Sequence, residues 1–355
     1  MEASVILGRM SLNPSRRRLI TIGVAAVILI AFVLLGSNVR VPYVALSPGP
    51  TVNTLGEVDG KPVVAVTGGV DADPSGNLNL TTVSLTDGLT LFQALGLWFS
   101  SDYQLQPREL YFPAGVSNEE VQQQNTAQMA SSEDNATGAA LTYLQRPTAV
   151  GVGPIADDSP AKGKLEVNDV IRALDGQPVT TVEQVHEKIR GLAPGSTVAV
   201  TVDRNGTEQV IDVTVGARPD DPKAGFLGVT PKVVSADPNV KITYNVGDIG
   251  GPSAGLMLTL AVIDHLTPDD LADGRFIAGT GTIAPSGEVG QIGGITHKLA
   301  AAREAGATSF LVPAANCAEA KTDAPDGLEL IKVDTLTSAV DSLGALKTGA
   351  PRPHC

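Results

Sequence analysis

Residues 278–316 read AGTGTIAPSGEVGQIGGITHKLAAAREAGATSFLVPAAN, and the order of elements in this stretch decides the fold. From Phe276, FIAGTGTIAPSGEVGQI predicts a hairpin broken at Ser286-Gly287, HKLAAAREAG a short helix stopped by Gly306, and TSFLVP a strand. Strand, helix and strand in succession make an α/β domain. Lys298 stands in the first turn of that helix, with Ile292, Ile295, Leu299 and a run of alanines around it. Taken alone, such a lysine reads as a solvated surface charge. In an apolar pocket it becomes a base, provided its pKa falls from about 10.4 by some 3 units, roughly 4 kcal/mol of desolvation.

Upstream, residues 247–258 read GDIGGPSAGLML and place Ser253 just before the long apolar run of a buried helix, SAGLMLTLAVIDHL. Three readings compete for this serine. It is a preferred helix N-cap; G-P-S-A-G fits the loose G-x-S-x-G pattern of esterase nucleophile elbows; and a serine at a helix start, with Gly250 and Gly251 admitting a substrate backbone and Pro252 stiffening the turn, suits a nucleophile whose oxyanion meets free N–H groups. A serine hydroxyl needs a base within reach. His265 lies on the same helix too far along to touch it, His354 is in the tail, and His297 has no clear acidic partner by sequence.

The rest of the chain fits around this core. VSADPNVKITYNV contains a strand, and TLTSAVDSLGAL forms a last helix. Before them, residues 149–215 have their own grammar: Ser159-Pro160-Ala161, GKLEVNDVIRAL, the turn Asp175-Gly176, a helical VEQVHEKIRGL, and VAVTVDRNGTEQVIDVTV with Asn205-Gly206 as a hairpin signal. Earlier still, VVAVTGG and NLNLTTVSL read as strands joined by a Gly- and Asn-rich connection around Asp73 to Asn77. A helix capped near Asp87 follows, and another runs from about Asn118 to Tyr143. VPYVALSPGPTVNTLG reads as an extended passage.

Arg9, Arg16, Arg17 and Arg18 precede the uncharged stretch Leu19 to Leu35, LITIGVAAVILIAFVLL, which is long enough to cross a bilayer when extended to Val39. Basic residues ahead of it put the N-terminus in the cytoplasm and the remainder outside, at the cell membrane. A cleaved signal peptide shares this grammar, but the apolar run is long for one and no small-x-small site follows closely, so a retained anchor is the reading taken.

The composition, 43% hydrophobic and 4% aromatic over 355 residues, suits about two domains with real cores, and a net charge of -13 argues against nucleic acid as a partner. Cys317 and Cys355 are the two cysteines, free to form a disulfide on the exported side. No G-x-x-x-x-G-K-[ST] occurs, so no ATP-driven motor is expected.

With SPA, NDVI and DGQPV in order, the middle segment resembles a PDZ domain of the bacterial protease-associated type. Asn168 stands where that family has Gly, a position Asn tolerates. The resemblance implies a groove that takes an extended peptide as an added strand. GGPSAG followed by AGTGTIAPSGEVGQIGGITHKLAAAREAGATSFLVPAAN is similar to the proteolytic domain of the Lon family. By that likeness Ser253 is the nucleophile and Lys298, 45 positions later, the general base. Thr280 would hydrogen-bond the lysine, and Gly293, Gly251 and Pro252 would line the oxyanion or substrate backbone. Gly250 departs from the pattern, since many Lon proteases carry Asp there. No metal and no cofactor is required.

The expected organisation is therefore a cytoplasmic N-terminus (1–18), a transmembrane helix (19–38), an extended linker (39–60), a first part of the protease domain (61–146), an inserted mostly-β PDZ domain (147–218), an α/β (α+β) Lon-type proteolytic domain (224–345) and a C-terminal tail (346–355). The expected activity is that of a membrane-tethered, ATP-independent serine endopeptidase acting on polypeptide substrates, exported or membrane proteins. A homo-oligomeric ring like that of the Lon proteases is left open. Two rival readings stand beside it: a serine esterase using His297, and an inactive PDZ scaffold.

Overall fold

The structure, a computed structural model, describes residues 14–70, 74–100, 102–218 and 220–355. The basic stretch before Pro14, with Arg9, and Asp73 of the expected strand connection lie outside the described residues. Two compact units are formed, one from residues up to Ser47 and 84–116, the other from 48–83 and 117–355.

The first unit holds helix α1 (Pro14–Asn38) and helix α2 (Leu91–Trp98). α1 is apolar, long enough to cross a membrane, and exposed along almost its whole length. α2 starts at Thr90, whose side chain and that of Gln93 form a capping box. The expected cap, Asp87, instead forms a bidentate pair with Arg108 at 2.8 and 2.9 Å. Charge pairing with a guanidinium outweighs a cap that Thr90 supplies at the correct spacing. The passage expected as a linker, 39–60, also differs, because it carries the eleven-residue strand Tyr43–Asn53. Val44 and Ala45 in it are fully buried, and Tyr43 to Leu46 pair antiparallel with Gln104–Pro107. Its Pro and Gly residues sit in the second half, at and beyond Pro48.

The second unit is built on parallel strands in the order Glu329–Val333, Ser309–Pro313, Phe276–Gly279 and Asn77–Thr86, with the Tyr43–Asn53 strand beyond. Alternate residues face opposite sides. Ile277, Leu311 and Ile331 pack with helices α3 (Asn118–Tyr143), α5 (Gly255–Leu266) and α8 (Leu336–Thr348), while Ala278, Phe310 and Val312 pack with α6 (Ile295–Glu304). Both faces are thus covered, as a parallel sheet requires. Phe276–Gly279 therefore belongs to this sheet, and the expected hairpin is confined to Thr282–Ile283 and Val289–Gly290. Strands from either side of the middle segment lie in register here, Phe276 opposite Asn77 and Gly279 opposite Leu80.

The middle segment forms a separate antiparallel sheet in the order Thr207–Thr214, Thr197–Arg204, Val170–Leu174, Thr148–Ile155, Val229–Ser235, with α4 (Val182–Arg190) packed on it. Asn168, Asp175, Gly176, Asn205 and Gly206 all take positive φ, as the turn signals predict. The sheet continues past the expected boundary at 218, because Val229–Ser235 pairs with Thr148–Ile155. The expected tail is also anchored. α8 runs to Thr348, and Lys332 and Cys355 N–H groups bond the carbonyls of Pro353 and Leu330. Cys317, at the start of the short helix α7 (Cys317–Ala320), is disulfide-bonded to Cys355.

Candidate active site

The turn Gly247–Ala254 precedes α5, whose N-cap is Ala254, so the helix begins two residues later than expected and Ser253 caps nothing. The Ser253 hydroxyl has another partner. Lys298 Nζ lies 2.8 Å from Ser253 Oγ, 2.8 Å from the Thr81 carbonyl and 3.1 Å from Thr280 Oγ1. Thr280 Oγ1 in turn donates to the Ser253 carbonyl at 3.1 Å. A neutral amine offers two N–H donors and one lone pair. With its donors on Thr81 and Thr280, its lone pair is left to accept the Ser253 hydroxyl proton.

Burial favours that neutral form. Lys298 is 3% exposed, and desolvation lowers its pKa from 10.5 to about 7. The position follows from the fold: α6 is capped by Gly294, which has a left-handed backbone and abuts Val83, and Lys298 near its start reaches the carbonyl of Thr81 on the neighbouring strand.

A cleft of about 370 Å³ opens over Ser253 and Lys298, lined also by Pro50, Val83, Asp248 and Gly293. A Cβ at Gly293 would meet nothing within 4 Å, so this glycine leaves room for a ligand. Gly251 has φ 88°, and its N–H donates to the Asn125 carbonyl at 2.9 Å, so it shapes the turn and is unavailable to an oxyanion. The Pro252 carbonyl accepts from Ser132 Oγ at 3.2 Å. Among the described residues, the N–H groups of Ser253 and Ala254 have no acceptor. The departure at Gly250 has a steric reason: a Cβ there would come 2.9 Å from the Cβ of Asn125.

His297 precedes Lys298 but makes no hydrogen bond to Ser253 among the described residues. It is buried, its Nε2 unpartnered, and burial lowers its pKa, against the pull of Asp323. His354 lies 3.6 Å from Glu329.

Four contributors carry no signal of their own in the sequence: Thr81, Asn125, Ser132 and Asn316. Asn316 holds the segment entering the Gly293-Gly294 turn, accepting from Ile292 N–H at 3.0 Å and donating to its carbonyl at 2.9 Å. It is adjacent to the disulfide. A second cleft, of about 80 Å³, lies between α4 and residues 225–229 and is lined by Val185, His186, Ile189, Phe226 and Leu227. Val229–Ser235 is an edge strand of its sheet there.

Residues 120–215 match the PDZ domain family, and residues 235–343 match the Lon protease (S16) C-terminal proteolytic domain. The chain joins a PDZ domain to a Lon-type proteolytic domain. Among curated proteins it is similar to a probable periplasmic serine endoprotease DegP-like from Pseudomonas putida, 37% identical over 79 residues, 22% of this chain and 17% of that protein. It is likewise similar to a Lon protease from Phenylobacterium zucineum, 34% identical over 125 residues, 34% of this chain and 15% of that protein. The chain thus covers about a sixth of the length of such relatives. Among solved structures, the PDZ domain of an SdrC-like protein from Listeria innocua is 21% identical, with a TM-score of 0.22, over 23% of this chain and 92% of that one. A solution structure from Geobacillus thermodenitrificans is 35% identical, with a TM-score of 0.21, over 23% of this chain and 94% of that one.

Proposed function

We propose that the protein is a membrane-tethered serine endopeptidase that uses Ser253 as nucleophile and Lys298 as general base, independent of ATP. The observation that carries this reading is the 2.8 Å contact between Lys298 Nζ and Ser253 Oγ in a buried site. Neutral Lys298 takes the hydroxyl proton as Ser253 Oγ bonds to the scissile carbonyl carbon. The N–H groups of Ser253 and Ala254 stabilise the oxyanion. Protonated Lys298 gives its proton to the leaving amine, the C–N bond breaks, and an ester to Ser253 remains. Lys298, neutral again, accepts a proton from water as the water oxygen attacks the ester, and then returns it to Ser253. The contact with Thr280 supports its role in aiming the lysine.

Helix α1 is the anchor in this reading, with the PDZ and protease domains on the extracytoplasmic side. The edge strand Val229–Ser235 beside α4 offers backbone groups to an extended peptide, with the apolar cleft for its side chains. The protease domain is discontinuous, its sheet drawing strands from before and after the PDZ domain, which is supported by the register of Asn77–Leu80 against Phe276–Gly279.

Ser253→Ala, Lys298→Met and His297→Ala are to be compared with the parent chain for peptide cleavage and for labelling of Ser253 by a fluorophosphonate. Loss of both with Ser253→Ala and Lys298→Met, and retention with His297→Ala, is the expected result. Loss with His297→Ala at intact folding and retention with Lys298→Met would replace the dyad by an esterase-type pair, and no labelling of the parent chain would leave a PDZ scaffold.

A further inference from the structure

No charged residue occurs between Gly88 and Ser101, GLTLFQALGLWFSS. Within this run α2 buries only Ala94. Phe92, Leu95 and Phe99 recur at the i, i+3, i+7 spacing of one helix face, and Trp98 stands three residues beyond Leu95. Leu95 is 36%, Trp98 70% and Phe99 87% exposed. An uncharged helix that leaves its largest apolar residues uncovered is unusual for a chain surface facing water.

The upstream end of this face already touches α1. The rings of Phe32 and Phe92 meet edge to face with centroids 5.3 Å apart, and a Cβ at Gly36 would come 2.4 Å from the Phe92 ring. Backbone bonds from Val41 N–H to the Leu89 carbonyl, 2.8 Å, and from Leu91 N–H to the Val39 carbonyl, 3.3 Å, hold the start of α2 at the exit of α1. Phe32 lies within the uncharged run Leu19–Leu35 and about 9 Å below the end of α1 at Asn38, at 1.5 Å per residue. A bilayer that surrounds Phe32 therefore reaches Phe92 as well.

We infer that the face of α2 bearing Phe92, Leu95, Trp98 and Phe99 inserts into the leaflet at which α1 ends, giving this unit a second, interfacial hold on the lipid. The inference rests on α1 being a retained membrane anchor. Lipid suits the face because it continues an apolar surface that a spanning α1 presents to the bilayer, because it offers no charged group to a protein partner, and because tryptophan favours the membrane–water boundary.

Trp98 is the single tryptophan of the chain, so its emission reports this face alone. The full chain is reconstituted into phosphatidylcholine–phosphatidylglycerol vesicles, tested for flotation, and titrated with iodide from the water and with lipid brominated near the headgroup end of its chains. The expected result is flotation with a blue-shifted Trp98 emission that brominated lipid quenches about twofold and iodide scarcely touches. Leu95→Ser/Phe99→Ser should still float while exposing Trp98 to iodide. Flotation with Trp98 quenched by iodide and not by brominated lipid overturns the inference, as does shielding from both quenchers, which would mean that a protein surface, such as a second copy, covers the face. A chain that fails to float removes the anchor and the inference together.

Discussion

Replacing Lys298 by Met keeps the length of the side chain and removes its titration, so the pair of proteins isolates the cost of burying this amine. In the unfolded chain the group titrates near 10.5, in the folded chain at about 7. Below pH 7 both states are protonated and stability does not change with pH. Between the two values the unfolded state binds more protons, so stability rises with pH, by up to about 1.4 kcal/mol per unit. From pH 7 to pH 9 the wild type should therefore gain roughly 2 kcal/mol from this group, and Lys298→Met should not. The methionine also leaves the Thr81 carbonyl without its donor, but that loss does not depend on pH and drops out of the comparison. Urea unfolding of both full-length proteins at pH 6, 7, 8 and 9 measures the difference. The same pKa fixes the rate: acylation of Ser253 should rise tenfold per unit below about pH 7 and level off above it. A stability difference that stays flat from pH 7 to 9, or an acylation rate still at its plateau at pH 5, would refute the reasoning, since either result means that the folded amine is not held near 7.

Glu133 and Asp134 on α3 give a carboxylate counterpart: burial raises them to about 7 and about 6, with Asp134 adding to the rise at Glu133 and Lys232 opposing it. Their folded pKa values lie above the unfolded ones, so their burial costs stability as pH rises through 4.5 to 7, and Glu133→Gln should stabilise the protein at pH 8 by about 1–2 kcal/mol, allowing for partial exposure, with no gain at pH 4. Cys355→Ser removes the bond that closes a separation of 38 residues and should cost about 3–4 kcal/mol by denaturant unfolding. Because Asn316 adjoins that bond and holds Ile292, the variant should also raise KM more than it lowers kcat. A fragment of residues 224–345, lacking the Asn77–Thr86 strand and α3, should show no cooperative unfolding transition; a sharp one would mean that the protease domain is continuous.

The difference between what the sequence announces and what it hides follows the way each residue is positioned. Ser253 and Lys298 are legible only as a pair in a fixed order, through the likeness of GGPSAG and GGITHK to a family pattern; by local chemistry alone the serine reads equally as a helix cap and the lysine as a surface charge. Thr81 is not legible, because its carbonyl reaches Lys298 only through parallel pairing between strands almost two hundred positions apart, and a backbone acceptor has no side-chain signature. α3 shows the same limit. Its extent, Asn118–Tyr143, is readable from the capping box Ser117–Glu120 and its helix-forming residues, but its almost uniformly polar first half gives no sign of which face is buried. Between the buried Met129 and Leu141 that face is made of small residues, Ser132, Ala136, Ala139 and Ala140, which suit close approach to α5. Closeness is also what lets Asn125 and Ser132 reach the backbone of Gly251 and Pro252. A Cβ at 250 would come 2.9 Å from the Cβ of Asn125, so an aspartate there requires the turn or α3 to shift. In this chain the turn that carries Ser253 is thus braced by α3, more than a hundred positions upstream, and the glycine at 250 is the sequence trace of that arrangement.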